Sequence, residues 1–277
     1  MLEMESREPE GDAGDDVERI RAHMERAILN APYSASPLEH VLVGNVLPDE
    51  FYARLIVHNP FGYEDGVEWV SQAEAEAFAT PTPYWRRKQI ALPKGLPAAA
   101  PQGLLACWRT LARAVQEGGW WVKLMTRRFP AYFAQRYGPL TEADDFADHF
   151  DCQQFLQRHE PGYSIGPHTD VPSRVVTAIF SLADGPGFED YGTQLCLPND
   201  RRFRSDGRMH YDPSLFQVTK VAPYAPNRLL LFTRPKHSFH AVARMDPPPP
   251  NGRFGMQVQV WERNHAIFRD ENGQVIY

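Results

Sequence analysis

Residues 253–261 read Arg253-Phe254-Gly255-Met256-Gln257-Val258-Gln259-Val260-Trp261. Unbroken alternation of this kind is the period of a β-strand, whose successive side chains point to opposite faces. One face carries Phe254, Met256, Val258 and Val260 and calls for a hydrophobic core. The other carries Arg253, Gly255, Gln257, Gln259 and Trp261. Buried amides and guanidinium groups need hydrogen-bond partners, so this second face predicts either solvent or a polar cavity. A strand that is apolar towards helices and polar towards an interior suits a barrel holding a polar small molecule. An edge strand with one wet face is the alternative. Within a barrel, Arg253 offers a planar fork that grips a carboxylate with two hydrogen bonds.

The chain around this stretch changes character near Cys152. Short apolar runs punctuated by turn residues occur at 154–159, 174–182, 193–197, 216–221, 229–232, 240–244 and 253–261. Closely spaced strands of this sort indicate a sandwich or barrel. The first half is helical. Ile20, Met24 and Ile28 recur every four residues over 16–30, and a short helix over 48–57 follows Pro48. The clearest helix is 101–116, where Leu104, Leu105, Trp108, Leu111, Ala112 and Val115 form one stripe and Gly118-Gly119 ends it. A further helical stretch, 120–137, is expected to break near Pro130. Strands are expected at 40–46 and 86–92, while 59–83 has no clear period. The fold class is therefore α+β. It comprises a disordered acidic leader over 1–15 and one domain over 16–277. That domain has a helix-rich part (16–150), a β core (about 151–263) and a C-terminal extension (264–277).

Composition narrows the function. A net charge of −6 argues against general nucleic-acid binding, and no apolar run reaches membrane-spanning length. The acidic N-terminus lacks the apolar stretch of a secretory signal. Three scattered cysteines suggest neither a disulfide framework nor a thiolate metal site. A reducing cytoplasm is the expected compartment.

The chemistry concentrates in Gly162-Tyr163-Ser164-Ile165-Gly166-Pro167-His168-Thr169-Asp170. On extended chain, His168 and Asp170 share one face, so both can reach one metal ion from the same side. A third ligand must come from elsewhere. Two histidines and one carboxylate leave the opposite positions open, which suits non-haem iron(II) oxygen chemistry. The third is expected late in the strand-rich half, where His237 and His240 compete. His240 is preferred, because Ala241-Val242 follow it and a strand end places a ligand rigidly.

Taken together, these pieces resemble the iron(II)- and 2-oxoglutarate-dependent dioxygenases, especially their prolyl-hydroxylase-like branch. The matching elements are Pro161-Gly162, His168-Thr169-Asp170, Gly192-Thr193-Gln194-Leu195, His240-Ala241-Val242 and Arg253, in that order, over roughly residues 150–263. The resemblance implies a double-stranded β-helix of two four-stranded sheets, buttressed here by the N-terminal helices. It implies iron held by His168, Asp170 and His240, with 2-oxoglutarate and O₂ as cosubstrates and ascorbate as an optional helper. It also implies that Arg253 pairs with the far carboxylate of 2-oxoglutarate. The chain departs from the pattern in three places. Thr193 replaces a second glycine. Arg253 follows His240 at unusual length, which reads as an enlarged loop around Pro247–Pro250, with Arg244 as the alternative partner. Gly255 stands where many relatives place Ser or Thr, so Tyr163 or Gln257 is expected to supply a cosubstrate hydrogen bond.

The substrate class is not written in the sequence. The expected reaction is hydroxylation, or another oxidation of an unactivated C–H bond, of a small metabolite or natural-product intermediate, with succinate and CO₂ as co-products. A peptide side chain is a competing substrate. A cupin-like metalloprotein of other chemistry and a non-catalytic binding module are competing classes. The insert 199–212, with Arg201, Arg202, Arg204 and Arg208, is either a lid attracting an acidic substrate or a solvated loop. No nucleic-acid or membrane partner is expected, and the oligomeric state is left open.

Overall fold

Pro130 and the Gly118-Gly119 pair divide the helical half, each for its own physical reason. The computed structural model describes residues 13–63, 68–69, 86–205, 207, 210–246, 249 and 252–263. Helix α1 spans Ala13–Asn30, α2 Asp49–Val57, α3 Gln102–Gln116, α4 Trp120–Arg128 and α5 Pro130–Tyr137. Gly118 and Gly119 have φ of +66° and +62°, a left-handed conformation that costs glycine little and ends α3. Pro130 opens α5 at a first-turn position, where its missing N–H costs nothing, and so stops α4 at Arg128.

Helix α1 begins at Ala13, so the last residues of the expected leader are helical; residues 1–12 lie outside the described residues. Asp16 sits in its first turn, where a carboxylate complements the helix dipole, and Arg19 bonds to it at 3.0 Å. The expected C-terminal extension, 264–277, lies outside the described residues, as does most of 59–83.

The strands are β1 Tyr33–Ser34, β2 His40–Gly44, β3 Glu68–Trp69, β4 Arg87–Ala91, β5 Phe150–His159 and β6 Ile165–His168. They continue with β7 Arg174–Ser181, β8 Thr193–Pro198, β9 Phe216–Ala222, β10 Arg228–Thr233, β11 His240–Val242 and β12 Arg253–Glu262. They form a sheet of order β1-β2-β10-β7-β12-β5-β4-β3 and a smaller one of order β6-β11-β8-β9. From β5 to β12 the chain crosses between the sheets at every step except β8 to β9. That alternation is the topology of a double-stranded β-helix, with four core strands in each layer. All neighbouring strands pair antiparallel.

Strand β12 lies central in the large sheet between β5 and β7, and its two faces separate as the alternation predicts. Phe254, Met256, Val258 and Val260 join the main hydrophobic cluster with Trp108 of α3, Trp121 of α4 and Phe133 of α5. Trp108 is fully buried, and its indole N–H donates to the carbonyl of His58 at 2.6 Å. The helices thus cover the outer face of the large sheet, and the inner face is left to a cavity.

One polar group breaks the apolar face. Glu262, the last residue of β12, is buried and bridges Arg136 of α5 at 2.7 Å, and the Tyr137 hydroxyl donates to the same carboxylate oxygen at 2.6 Å. Breaking a buried pair by removing one partner strands a charge and costs about 3–5 kcal/mol. Glu262→Ala should therefore lower the unfolding free energy in urea by about that amount.

Candidate metal centre and cavity

His168 is the last residue of β6 and lies directly across the small sheet from His240, the first residue of β11. Asp170 stands two residues beyond the end of β6, outside the strand itself. One ligating atom from each of the three side chains lies within 4.8 Å of the other two. The rings of His168 and His240 are 4.2 Å apart, and His240 Nε2 is 4.0 Å from Asp170 Oδ1.

Both histidines are oriented by the main chain. His168 Nδ1 lies 2.9 Å from the Gly166 carbonyl, and His240 Nδ1 lies 3.2 Å from the Ser238 carbonyl. A carbonyl only accepts, so each Nδ1 carries the proton and each Nε2 presents its lone pair. Burial holds both imidazoles below their ordinary pKa, His168 well below, with neighbouring His240 and His210 adding to the effect there. They are neutral, the form that ligates a metal.

Asp170 is 4% exposed. Burial by itself would raise its pKa, but the Arg174 guanidinium, the neighbouring imidazoles and the Thr177 hydroxyl hold it well below the usual carboxylate range. Arg174 Nη1 donates to Oδ1 and Thr177 Oγ1 to Oδ2, both at 2.6 Å. Arg174 is itself held over the Trp261 ring, 4.7 Å from its centre. Outer partners of this kind fix the orientation of a ligating carboxylate. Two neutral nitrogens and one fixed anionic oxygen on one side of a cavity fit a divalent ion of the iron(II) type.

His237, the alternative to His240, is exposed on the turn between β10 and β11. The insert 199–212 supplies a histidine that the sequence did not single out. His210 is 4% exposed, and its ring lies 4.6 Å from that of His168. Around it, Tyr211 N–H donates to the Pro167 carbonyl, and Arg234 spans from the Asp170 carbonyl (2.7 Å) to that of Ser205 (3.3 Å). The insert thus braces the His168–Asp170 segment from outside. Arg201, Arg202 and Arg204 are exposed and do not line the central cavity, and Arg208 lies outside the described residues.

The cavity between the sheets has a volume of about 320 Å³ and is lined by His168, Asp170 and His240 together with Arg253, Tyr163 and Gln257. Across its wall runs a chain of amides. Gln157 Nε2 donates to Gln89 Oε1 (3.0 Å) and to Gln257 Oε1 (3.1 Å). Gln259 Nε2 donates to Gln257 Oε1 (2.7 Å), and Trp261 Nε1 to Gln259 Oε1 (2.9 Å). Gln257 therefore has its oxygen engaged within the chain. Tyr163 is 2% exposed and stacks face to face on His159, with ring centres 4.1 Å apart.

Arg253 is 7% exposed. Nη1 donates to His159 Nδ1 at 2.9 Å and Nη2 to Thr193 Oγ1 at 3.2 Å, while Nε is buried with no partner. Burial lowers its pKa, with the Tyr224 and Tyr163 hydroxyls working in the opposite direction. No carboxylate of the described residues pairs with it. Arg244 is exposed in a hollow on the outside of the small sheet, beside Gln194 and Phe216. Two-residue periodicity from His240 would have placed Arg244 on the ligand face, but β11 ends at Val242 before reaching it. The loop around Pro247–Pro250 lies mostly outside the described residues. Gly255, where the resemblance places Ser or Thr, has no room for a side chain: a Cβ there would lie 2.8 Å from the Phe180 carbonyl oxygen.

No protein-family model matches the chain, and no curated protein matches it either. Solved structures are similar at low identity. A Pseudomonas putida prolyl-4-hydroxylase is 15% identical with a TM-score of 0.44, over 88% of this chain and 100% of its own. An oxidoreductase of the 2OG-Fe(II) oxygenase family from Burkholderia pseudomallei is 15% identical with a TM-score of 0.41, over 92% of each chain. HygX from Streptomyces hygroscopicus, with nickel and 2-oxoglutarate bound, is 12% identical with a TM-score of 0.42, over 83% of this chain and 85% of its own.

Proposed function

We propose that this chain is an iron(II)- and 2-oxoglutarate-dependent oxygenase that oxidises an unactivated C–H bond of a small molecule. The observation that carries the reading is one cavity lined by two features. His168, Asp170 and His240 converge in it, and the buried guanidinium of Arg253 stands in the same cavity with no carboxylate partner among the described residues. A buried guanidinium is costly unless paired, and a ligand carboxylate is the natural counter-charge.

Iron(II) would be held by His168, Asp170 and His240 and, when bound, would supply the oxidising power. The chain's own residues do the rest. Arg253 binds the far carboxylate of 2-oxoglutarate. Arg174 and Thr177 keep Asp170 ionised and aimed, and the backbone carbonyls of Gly166 and Ser238 keep the histidine lone pairs on the metal side. The amide chain and Trp261 present donors and acceptors to a polar substrate, and the enclosing sheets limit water. The balanced reaction takes 2-oxoglutarate, O₂ and a C–H bond to succinate, CO₂ and an alcohol. Cys107, Cys152 and Cys196 are unpaired, in keeping with a reducing cytoplasmic setting.

Purified protein with iron(II), ascorbate, 2-oxoglutarate and O₂ should release succinate above a protein-free control, with faster release when the substrate is found in a metabolite screen. Failure to bind 2-oxoglutarate anaerobically with metal present would favour a cupin-like protein of other chemistry.

A further inference from the structure

His159 was not among the residues singled out from the sequence, yet it is the group most closely tied to Arg253. It ends β5 directly opposite Arg253 of β12 on one side and Arg87 of β4 on the other. Cross-strand partners face the same way, so the three side chains form one row on the cavity side of the sheet.

The tautomer of His159 is fixed by its neighbour. A guanidinium has only donors, so the 2.9 Å contact from Arg253 Nη1 makes Nδ1 the acceptor and leaves the proton on Nε2. His159 is 6% exposed, and its Nε2 is buried with no partner. A buried N–H with nothing to donate to is rare in folded proteins and points to a missing acceptor. Burial, then Arg253 and Arg87, hold the ring well below its ordinary pKa, so it stays a neutral donor. A side chain at position 255 has no room beside Arg253, because a Cβ there would meet the Phe180 carbonyl oxygen of β7.

We propose that His159 is a cosubstrate-binding residue: Nε2–H donates to one oxygen of the far carboxylate of the 2-oxo acid while Arg253 holds the other. This rests on the 2-oxoglutarate site proposed above. It takes over the part that Ser or Thr at position 255 would otherwise fill. Arg253 and the His159 Nε2–H together meet that carboxylate, so the subsite selects a dicarboxylate. A 2-oxo acid lacking the far carboxylate leaves the Nε2–H unmet.

The test is anaerobic calorimetry on Mn(II)-loaded protein, titrated with 2-oxoglutarate and, separately, with oxalate, which chelates metal without a far carboxylate. His159→Phe keeps the stacking on Tyr163 and removes both nitrogens. It should weaken 2-oxoglutarate about 10- to 100-fold and leave oxalate unchanged. His159→Gln, which can accept from Arg253 and still donate, should recover most of the loss. On ¹⁵N-histidine protein, the His159 Nε2–H resonance should move on addition of 2-oxoglutarate and stay in place with pyruvate. A His159→Phe affinity within about twofold of wild type, an equal loss for oxalate, or an Nε2–H signal indifferent to 2-oxoglutarate would overturn the assignment while the cosubstrate site stands. Wild-type protein that does not bind 2-oxoglutarate at all overturns both.

Discussion

Asp170→Ala is expected to abolish iron(II) binding and all O₂-dependent turnover while the protein remains folded. Asp170 is the only anion lining the cavity among the described residues, and His168 and His240 supply neutral nitrogens. Without the carboxylate, the site loses its charge complement to a divalent ion. It also leaves the Arg174 guanidinium, formerly 2.6 Å from Oδ1, facing the metal position uncompensated. Both changes act in the same direction. Arg174 keeps its contact with Trp261 and is 20% exposed, so water can solvate it and the fold survives. Mn(II) binding followed by electron paramagnetic resonance, with circular dichroism as the folding control, checks this. Near-wild-type affinity in Asp170→Ala would remove Asp170 from the ligand set.

Arg253→Gln is the second large effect. Truncating one member of a buried charge pair costs about 2–5 kcal/mol, or roughly 30-fold to several thousand-fold in affinity for 2-oxoglutarate. Metal affinity should change little, because Arg253 touches His159 and Thr193 and none of the three proposed ligands. Arg253→Lys keeps the charge and loses the fork, so its loss should be intermediate. Arg244→Gln should be nearly silent, since Arg244 is exposed outside the small sheet. An inverted result, with Arg244 controlling affinity and Arg253 dispensable, would place the cosubstrate outside the cavity.

The features legible in the sequence were those carried by local period. The alternation from Arg253 to Trp261 separated a core face from a cavity face without any knowledge of neighbours. Pro130 and Gly118-Gly119 marked helix ends because their backbone constraints are intrinsic to the residue. His240 could be preferred over His237 because a strand follows one and not the other, and the structure buries the first and exposes the second.

What escaped depends on register between distant strands. Arg174 reaches Asp170 from four residues away, a spacing that in sequence reads as a helical pair, whereas here it closes a turn into β7. His159 matters only because β5 pairs with β12 in one particular register, and a one-residue slip would turn it outward. His210 lies in an insert rich in arginine, and the part of that insert that packs against His168 is the His210 ring. Gly255 reads as open space in a sequence, but the space belongs to the β7 backbone.

His168, Asp170 and His240 are expected to hold one metal ion in the cavity that Arg253 also lines. Crystals grown anaerobically with Mn(II) and 2-oxoglutarate test it through the anomalous difference map. A single strong peak is expected within bonding distance of His168 Nε2, the Asp170 carboxylate and His240 Nε2, with the far carboxylate of the 2-oxo acid on Arg253. A peak held by His210 or His237, or a 2-oxo acid that leaves Arg253 untouched, would contradict it.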